Sequence, residues 1–400
     1  MALALEGYRM LDMSRLLPGP ICSWLLADMG MEVIKIEETG PRGGMGRDVF
    51  TPYTPSTDEE IEASAWNPVA RNKKSIALNL KDEAAKKVFY ELAKTADVVL
   101  EGYRPGVTKR LGVDFETLQK INSGIIFCSI SGYGQDGPYK LLPGHDANYA
   151  AMAGTLMVNT DDDGKPHGMG ATVGDSGAAV HAALGITSAI LARQKTGKGQ
   201  YVDTAMTDSL FSFMIMYSRC LKTGNVGGVP RGGLTTLKCK DGKWISTSNA
   251  ETHFQENFYN AIGKPEYIEL ALSRKKGPER DKMIEDVKEV FLTKTRDEWF
   301  KILSEAETCV APAYEMQETF KDPHVLARNM VWEMDHPKVG KVKQMGSPMK
   351  LSDTPPTFRN FAPVLGENTE ELMKELGYSA EDINKLHGSG AIKAWRPDDK

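Results

Sequence analysis

The fold of this chain is decided by residues 8–36, which read YRMLDMSRLLPGPICSWLLADMGMEVIKI. Tyr8–Met13 is an apolar run of strand length, Pro18–Pro20 breaks the chain, and Ile21–Met29 has the composition of a helix. Val33–Ile36 is a second apolar run, so the stretch predicts a β-α-β unit at the start of a parallel sheet. The turn after the first strand lacks the G-x-G-x-x-G pattern that binds a dinucleotide. The unit is therefore expected to be Rossmann-like in architecture, and the missing pattern argues against a nicotinamide-dependent oxidoreductase.

The alternation of strands and helices continues outward from this unit. Polar residues, glycines and prolines fill Glu37–Asn72, which is expected to be a long excursion from the sheet. Beyond it, apolar runs predict strands over Ser75–Leu80, Val98–Glu101, Ile125–Ile130 and Tyr201–Ala205. Helical patterns cover Asp82–Thr95, Phe115–Ile121 and Thr207–Leu221. This order predicts an α/β fold with a parallel sheet.

A change of composition separates the middle of the chain from its ends. Five glycines lie within Lys222–Gly233, which is expected to be a flexible joint. After it, the runs Leu237–Cys239 and Trp244–Ser246 flank a turn and predict a hairpin, which helical patterns follow. The predicted division is a large Rossmann-like domain, a smaller α+β domain and a C-terminal segment, at residues 1–221, 222–330 and 331–400.

Composition and charge exclude several classes of partner. Lys and Arg number 49 against 54 Asp and Glu, so the net charge of −5 provides no basic field for nucleic acid. No apolar run reaches the ~18 residues that a membrane-spanning helix needs, and no charged and apolar signal region is recognisable. The five cysteines are odd in number, lie far apart and lack metal-ligand spacing. They predict free thiols, no bound metal and a cytoplasmic location.

A second informative stretch is Gly170–Gly177, which the apolar run Ala178–Ala192 follows. Asp175 lies among small residues near the predicted first turn of a buried helix. There the helix dipole favours the ionised carboxylate and apolar surroundings oppose it. The glycines would let a ligand approach the backbone closely. From these residues alone, Asp175 is either a helix cap or a reactive carboxylate, since aspartate is a preferred cap.

Short motifs of a known family are spread over nearly the whole chain. They are Leu5–Arg15, Gly19–Pro20, Leu26–Glu37, Asn72–Ser75, Gly102–Val107, Ser131–Gly134, Gly174–Asp175, Thr196–Asp203 and Ala362–Thr369. In this order they resemble the class III CoA-transferases, the family of formyl-CoA transferase and carnitine CoA-transferase, which also contains the α-methylacyl-CoA racemases. The resemblance implies that residues 331–400 return to complete the large, CoA-binding domain, with the smaller domain inserted between. It also implies an interlocked homodimer.

The same resemblance implies a chemistry. The enzyme would move CoA from an acyl-CoA donor to a carboxylic acid acceptor, with CoA as a substrate and not as a permanently bound cofactor. The aspartate that matches Asp175 attacks the thioester in the family, forming an acyl-aspartyl anhydride and then an aspartyl-CoA thioester. The residues expected to bind CoA are Gly102, Tyr103, Arg104, Arg110, Lys140, Leu16 and Arg42. An arginine that the family often has after the second strand is Glu38 here, and Arg42 or Arg47 is expected to replace it.

The sequence does not identify the substrate acids. The loop Val226–Leu234 and the pocket around Leu16, Leu17 and His145 are expected to set the size of the acyl group. Arg231 is a candidate for binding a second carboxylate. None of these residues forms a pattern that specifies one acid.

His145 keeps a second interpretation open. Gly144–Tyr149 resembles the racemase motif, in which this histidine and the aspartate matching Asp175 are paired bases that invert an α-carbon. Glu251 also falls near an acidic position of the racemases. The sequence of Val173–Gly177 is closer to that of the transferases, and the chain is longer than the racemases. Both features favour the transferase. A third alternative is a non-catalytic CoA-binding subunit of a heteromeric transferase, which the presence of Asp175 argues against.

Overall fold

A computed structural model describes residues 2–40, 57–161, 163–218, 222, 234–273 and 275–396. The chain divides into two compact units, Met1–Ser218 with Asn329–Lys400, and Arg219–Arg328. Except for Lys222, the glycine-rich joint predicted over Lys222–Gly233 lies outside the described residues.

The first unit alternates strands and helices along the N-terminal part of the chain. Its strands are β1 (Arg9–Asp12), β2 (Glu32–Glu37), β3 (Lys73–Leu78), β4 (Val98–Glu101), β5 (Ile126–Ser131) and β6 (Tyr201–Ala205). Its helices are α1 (Pro18–Asp28), α2 (Thr57–Trp66), α3 (Glu83–Thr95), α4 (Val107–Leu111), α5 (Phe115–Ile121), α6 (Asp146–Met152), α7 (Val173–Thr196) and α8 (Met206–Phe213). Short 3₁₀ turns cover Leu156–Val158 and Met214–Tyr217. The α/β fold predicted from the first 36 residues is confirmed.

The second unit is smaller. Its elements are β7 (Thr236–Lys238), β8 (Trp244–Thr247), α9 (Thr252–Ala261), α10 (Ile268–Ser273), α11 (Pro278–Phe291), α12 (Arg296–Glu305), β9 (Val310–Ala313), α13 (Met316–Thr319) and α14 (Pro323–Ala327), with a 3₁₀ turn at Pro265–Tyr267. The strands form an antiparallel sheet in the order β7-β8-β9, and β7 and β8 are the predicted hairpin. The rings of Phe258, Phe291 and Trp299 stack in its core.

The chain then returns to the first unit. The returning elements are β10 (Val331–His336), β11 (Gly340–Met345), α15 (Thr369–Glu375), α16 (Ala380–Gly388) and β12 (Ile392–Lys393). Among the described residues, the main sheet has seven strands in the order β12-β3-β2-β1-β4-β5-β6. Strands β1 to β6 are parallel and β12 is antiparallel to β3. The order reverses between β1 and β4, as in dinucleotide-binding folds, where ligands bind in the crevice at that reversal.

Helices cover both faces of the sheet. On one face α3, α5, α15 and α16 pack around Phe89 and Phe127, and on the other α1, α6, α7 and α8 pack around Leu26 and Leu210. Strands buried on both faces need continuous apolar runs, which explains why the sequence predicts them well.

Helix α7 is the longest element, with 24 residues. By length and composition it could cross a membrane, the one helix within the described ranges for which this holds. One of its faces is rich in alanine, at Ala178, Ala179, Ala182 and Ala189, and packs into the core beside α1. Small side chains allow this close approach, so we interpret α7 as a core helix.

A buried arginine joins the two ends of the chain. The Arg71 guanidinium donates to both carboxylate oxygens of Asp28, at 3.1 and 2.7 Å. Its carbon atom lies 4.9 Å from the ring centroid of Trp24 and 4.5 Å from that of Trp332, and it also donates to Gln344. Trp332 and Gln344 belong to the returning hairpin, so this fully buried cation connects β10 and β11 to the N-terminal part of the unit.

Two of the family motifs make further connections of the same kind. The backbone N–H of Ser75 donates to Asn368 at 3.0 Å, and the N–H of Gly366 donates to the Ser75 hydroxyl at 2.8 Å. Thr369 accepts from the backbone N–H of Ala77 and donates to the carbonyl of Lys393. These motifs therefore hold the returning segment against β3.

Two predicted elements differ from the structure. The excursion after β2 contains helix α2, whose first turn carries three acidic residues that suit a helix N-terminus. The helix predicted over Thr207–Leu221 ends at Phe213, and a 3₁₀ turn over Met214–Tyr217 follows, as is common where a helix tightens at its end.

Candidate active site

The carboxyl ends of the parallel strands meet at one edge of the sheet. Ser14–Leu17 follows β1, Gly102–Arg104 follows β4, and Ser131–Gly134 follows β5. Helix α7 runs back from this edge to the start of β6, so its first turn, with Asp175, lies at the same edge. The sheet thus gathers the predicted site residues of the first unit at the point where its strand order reverses.

Asp175 is not a helix cap. It is the third residue of α7, and the cap position belongs to Thr172, whose side chain makes no capping hydrogen bond. The capping carboxylate comes instead from Asp146 on α6, whose Oδ1 accepts from the N–H of Gly174 at 2.7 Å and of Asp175 at 3.1 Å. A Cβ on Gly174 would lie 2.8 Å from that oxygen, so glycine is needed there for this contact. The side chain of Asp175 is therefore left for chemistry.

The surroundings of Asp175 make its carboxylate more basic than usual. Burial and the neighbouring negative charge of Asp146 raise the pKa of Asp175 to about 6, while His145 opposes the shift. The acid is thus mostly ionised at neutral pH and yet binds a proton more readily than a solvated aspartate. A desolvated carboxylate of this kind suits a nucleophile or a base.

The first turn of α7 does not supply free oxyanion donors in this structure. Gly174 and Asp175 donate their N–H groups to Asp146, while Val173 donates to the carbonyl of Ala171 and Ser176 to that of Thr172. These four groups are already bonded, so charge on a reacting oxygen would need another donor.

His145 and Tyr149 lie on the same short element as Asp146. His145 precedes α6 with an exposed side chain, and its backbone N–H donates to Asn148 at 2.9 Å. The phenol of Tyr149 fits between Gly132 and Gly144, where added Cβ atoms would lie 2.5 and 2.8 Å from its ring. Its hydroxyl donates to the carbonyl of Gly144.

Tyr149 connects the end of β4 with the start of α7. Burial, followed by the charges of Tyr133 and Asp175, raises the pKa of Tyr149 to about 12, and the cation of Arg104 opposes the shift. Both Arg104 and Asp175 are therefore close enough to act on the same hydroxyl. Two residues predicted from separate motifs thus share one neighbourhood.

Three of the residues predicted to bind CoA are exposed cations. Arg104, Arg110 and Lys140 are exposed, and none of them forms an ion pair with another described residue. Arg104 lies just before α4 and Arg110 within it, whereas Lys140 follows Tyr139. The ring of Tyr139 contacts that of Tyr133, which in turn contacts Tyr149. Unpaired cations around a crevice suit a ligand with several phosphates.

A cavity of about 280 Å³ opens beside the ends of β1 to β4. It contains Tyr103, whose ring centroid lies 4.9 Å from the guanidinium carbon of Arg15, and Arg15 forms an ion pair with Glu38. Gly102 adjoins it, since a Cβ there would lie 3.6 Å from the Arg15 nitrogen. Leu16 follows with a left-handed backbone (φ 59°) and a partly exposed side chain.

A buried network of charged groups around Asp12 supports the turn after β1. Asp12 accepts from Ser23 at 2.6 Å and from the backbone N–H of Ser14 at 2.8 Å, and it contacts Lys35 at 3.3 Å and Lys73 at 3.4 Å. Burial opposes the charge on Asp12, but the two cations and two hydroxyls outweigh it and hold the pKa of Asp12 well below its usual range. The network fixes the start of the crevice-lining turn.

Arg42, Arg47 and Arg231 lie outside the described residues. Glu251 precedes α9 in the second unit, whereas Asp175 and His145 belong to the first. Over the described ranges, no group of three or more His, Cys, Asp or Glu side chains could hold a metal ion.

Three residues of this region were not predicted as site residues. Asp146 lies beside His145 in one motif, and only the fold shows that it caps α7. Tyr149 ends the same motif, and nothing in the sequence distinguishes its role. Arg15 belongs to the first motif, but its pairing with Glu38, 23 positions away, needs β1 and β2 to be neighbours.

Known proteins resemble this chain over nearly its whole length. Residues 5–369 match the profile described as CoA-transferase family III. The formyl-CoA:oxalate CoA-transferase of Rhodopseudomonas palustris (strain BisA53) is 33% identical over 426 residues, which cover 98% of each protein. The succinyl-CoA–L-malate CoA-transferase beta subunit of Chloroflexus aurantiacus is 33% identical over 415 residues, again 98% of each. A solved CaiB/BaiF family protein from Brucella suis has the same fold, with a TM-score of 0.78 at 24% identity over 94% of this chain and 100% of that one.

Proposed function

The chain belongs to CoA-transferase family III, and from this premise we propose that it moves CoA from an acyl-CoA to a carboxylic acid through a covalent intermediate on Asp175. The observation that carries the proposal is the position of Asp175. Its carboxylate stands at the carboxyl edge of the sheet with a pKa raised to about 6, and another acid performs the capping role.

The proposed reaction has two symmetric halves. A carboxylate oxygen of Asp175 attacks the thioester carbonyl, and the C–S bond breaks. CoA leaves as the thiolate, and a mixed anhydride between Asp175 and the acyl group remains. The thiolate then attacks the aspartyl carbonyl, which releases the donor acid and leaves an aspartyl-CoA thioester. The acceptor carboxylate attacks the carbonyl of this thioester, the C–S bond breaks, and the CoA thiolate is released as a second anhydride forms on Asp175. Attack of the thiolate on its acyl carbonyl gives the new acyl-CoA and restores Asp175.

We assign CoA binding to the predicted residues around the crevice. The unpaired cations Arg104, Arg110 and Lys140 would meet the phosphates, and Tyr103 with Gly102 and Leu16 would border the rest of the ligand. In this proposal CoA enters and leaves as a substrate, and no permanently bound cofactor takes part.

The acids are proposed only as a class. The two curated relatives are named for formyl-CoA with oxalate and for succinyl-CoA with malate, so membership of the family does not decide between acids. Leu16, Leu17 and His145 remain the residues proposed to limit the acyl group.

Trapping the intermediate tests the proposal. The protein is incubated with a panel of acyl-CoA donors and treated with borohydride, which reduces an aspartyl thioester to an alcohol and releases CoA. We expect the peptide containing Asp175 to lose one oxygen and gain two hydrogens in mass spectrometry. Asp175→Ala should show neither the modification nor CoA transfer. Transfer that survives in Asp175→Ala would refute the role of this residue.

The racemase remains a second candidate because His145 lies close enough to Asp175 to affect its pKa. Two bases on opposite sides of an α-carbon could exchange its proton. In that case the wild-type protein should incorporate deuterium into a 2-methylacyl-CoA without any acceptor acid, and His145→Ala should be as severe as Asp175→Ala. Under the transferase proposal, His145→Ala should retain measurable transfer.

We also propose that the protein is an interlocked homodimer in the cytoplasm. Outside its core face, α7 exposes Val180, Leu184 and Leu191 along one side, and α8, which packs against α7, exposes Phe211. Exposed apolar side chains in such a row favour a protein partner. Sedimentation at micromolar concentration should give a dimer, which Leu184→Glu should weaken. An active wild-type monomer would contradict the proposal. The described cysteines are free thiols, which suits a reducing compartment.

A further inference from the structure

One position in the cavity beside β1 to β4 carries the charge opposite to the one expected from the family. The family often has an arginine directly after the second strand, where this chain has Glu38. In the structure Glu38 pairs with Arg15, which projects from the turn after β1 into the same cavity. A cation is therefore present, but it comes from a different strand and carries its own counter-ion.

The other charged groups of the cavity are differently engaged. Lys35 binds Asp12 and the carbonyl of Ser14, and Glu37 accepts from the Ser75 hydroxyl. Lys81 is exposed and forms no ion pair with a described residue. Arg15 is thus the planar cation beside the Tyr103 ring, with a partner that it can exchange.

The Arg15–Glu38 pair is suited to such an exchange. The side chain of Arg15 is 28% exposed and that of Glu38 57% exposed, so water screens their attraction. A phosphate monoester carries about −1.5 to −2 charges and accepts two parallel hydrogen bonds from a guanidinium. It should therefore compete successfully with one exposed carboxylate.

The position of the cavity indicates which phosphate this is. In folds with this strand order, a side chain at the end of the second strand lies beside the ribose of the bound nucleotide. CoA differs from common dinucleotides because its ribose carries a 3′-phosphate. A cation that meets this group must lie near the end of β2, and Arg15 is held there by Glu38.

We propose that Arg15 binds the ribose 3′-phosphate of CoA and that Glu38 is a displaceable counter-ion, which lowers the affinity for that phosphate. The proposal rests on the proposed function, because it takes CoA as the ligand. It makes Arg15 and Glu38 specificity-determining residues for the phosphorylated nucleotide, at a distance from the reacting carbonyl.

Binding of nucleotide fragments tests this inference without any transfer reaction. Calorimetry compares adenosine 3′,5′-bisphosphate with adenosine 5′-monophosphate, which lacks the 3′-phosphate. Arg15→Gln should weaken binding of the bisphosphate by about 10-fold or more and that of the monophosphate by less than about 3-fold. Glu38→Gln should strengthen binding of the bisphosphate by about 2- to 5-fold, because the competing carboxylate is gone. Arg15→Lys should be intermediate, since it keeps the charge and loses the planar fork.

Lys120→Gln is the matched control. Lys120 is exposed at the end of α5, which leads into the start of β5 at the opposite edge of the sheet, so this variant should bind both nucleotides as the wild type does. Circular dichroism melting of each variant shows whether it is folded.

Three results would overturn the inference. One is that Arg15→Gln weakens the binding of both nucleotides by the same factor. Another is weaker binding of the bisphosphate in Glu38→Gln, which would mean that Glu38 itself contacts the sugar. The third is a wild-type protein that does not prefer the bisphosphate. If the bisphosphate behaves as expected but no acid accepts CoA, the proposed function fails and the assignment of Arg15 stands. If transfer occurs and the variants bind normally, the reverse holds.

Discussion

The carboxylate of Asp146 accepts a hydrogen bond from the backbone N–H of Asp175 at 3.1 Å, so two acidic residues share the start of one helix. Asp146 caps the helix from outside it, whereas Asp175 is its third residue. Their proximity has a chemical consequence, because the charge on Asp146 opposes ionisation of Asp175 and keeps it basic. We expect the pair to set both the position and the pH range of the nucleophile.

Replacing Asp146 by asparagine should separate these two roles. The amide oxygen can still accept from the N–H groups of Gly174 and Asp175, but the like charge is gone. The acidic limb of kcat/KM for CoA transfer, expected near pH 6 from the pKa of Asp175, should therefore move to lower pH. The measurement is the rate of transfer between pH 4.5 and 8, with His145 and Tyr149 unchanged as the other titratable neighbours.

Asp146→Ala serves as the comparison, because it also removes the cap. It should lose about 1 kcal/mol of stability in urea unfolding, whereas Asp146→Asn should lose less. An acidic limb that stays in place in Asp146→Asn would show that Asp146 does not tune Asp175.

Ionised Asp175 should reduce the stability of the fold. Its folded pKa of about 6 lies above the ordinary value of 3.8, so the folded protein binds this proton more tightly than the unfolded chain. The cost of ionisation is fully present above about pH 6 and disappears below about pH 4. Asp175→Asn should thus unfold with a free energy on the order of 1 kcal/mol higher at pH 7.5, after allowance for solvent screening, while transfer is lost.

The control for this measurement is Glu62→Gln, an exposed acid on α2. Its unfolding should match that of the wild type at both pH 7.5 and pH 4. A gain in Asp175→Asn that persists unchanged at pH 4 would assign the effect to packing and not to charge.

Arg104→Ala should raise KM for the acyl-CoA substrate by about 10-fold and change kcat by less than about 2-fold. Contacts to phosphates far from the reacting carbonyl contribute equally to ground-state and transition-state binding. Initial rates over a range of acyl-CoA concentrations measure both constants. Lys120→Ala, at the opposite edge of the sheet, should leave both unchanged. A fall in kcat alone would place Arg104 in the chemistry instead.

Arg71→Met should cost about 3–5 kcal/mol of stability, because it leaves the buried carboxylate of Asp28 without its partner. Arg9→Met breaks the half-exposed pair with Glu32 and should cost less than about 1 kcal/mol. Urea unfolding of both variants, followed by far-ultraviolet circular dichroism, gives the comparison. Equal losses of unfolding free energy in the two variants would mean that the buried pair stabilises the fold no more than the partly exposed pair does.

The sequence predicts what is local in this molecule. Buried parallel strands are continuous apolar runs, so β1, β4 and β5 could be located. Asp175 was expected near the first turn of a helix from its small neighbours and the apolar run that follows them. Pairings across the sheet were out of reach. Nothing near Glu38 shows that it meets Arg15, and nothing near Gly174 shows that Asp146 caps its helix, because both contacts depend on tertiary structure. Helix α2 was missed for another reason: its short polar sequence has no apolar face to reveal it.

The position of Arg71 between Trp24 and Trp332 bears on how the protein is made. About 260 residues separate Arg71 from Trp332, and a ribosome adding 5–20 residues per second needs roughly 15–50 s to cross that distance. Throughout this interval Trp332 has not yet been made. The ion pair between Arg71 and Asp28 is then covered by the ring of Trp24 alone. Synthesis of the second unit falls entirely within the same interval. A truncated chain that ends before Trp332 would therefore lack the second ring that covers this buried ion pair. Such an incompletely folded first unit would be recognised by cellular chaperones and proteases.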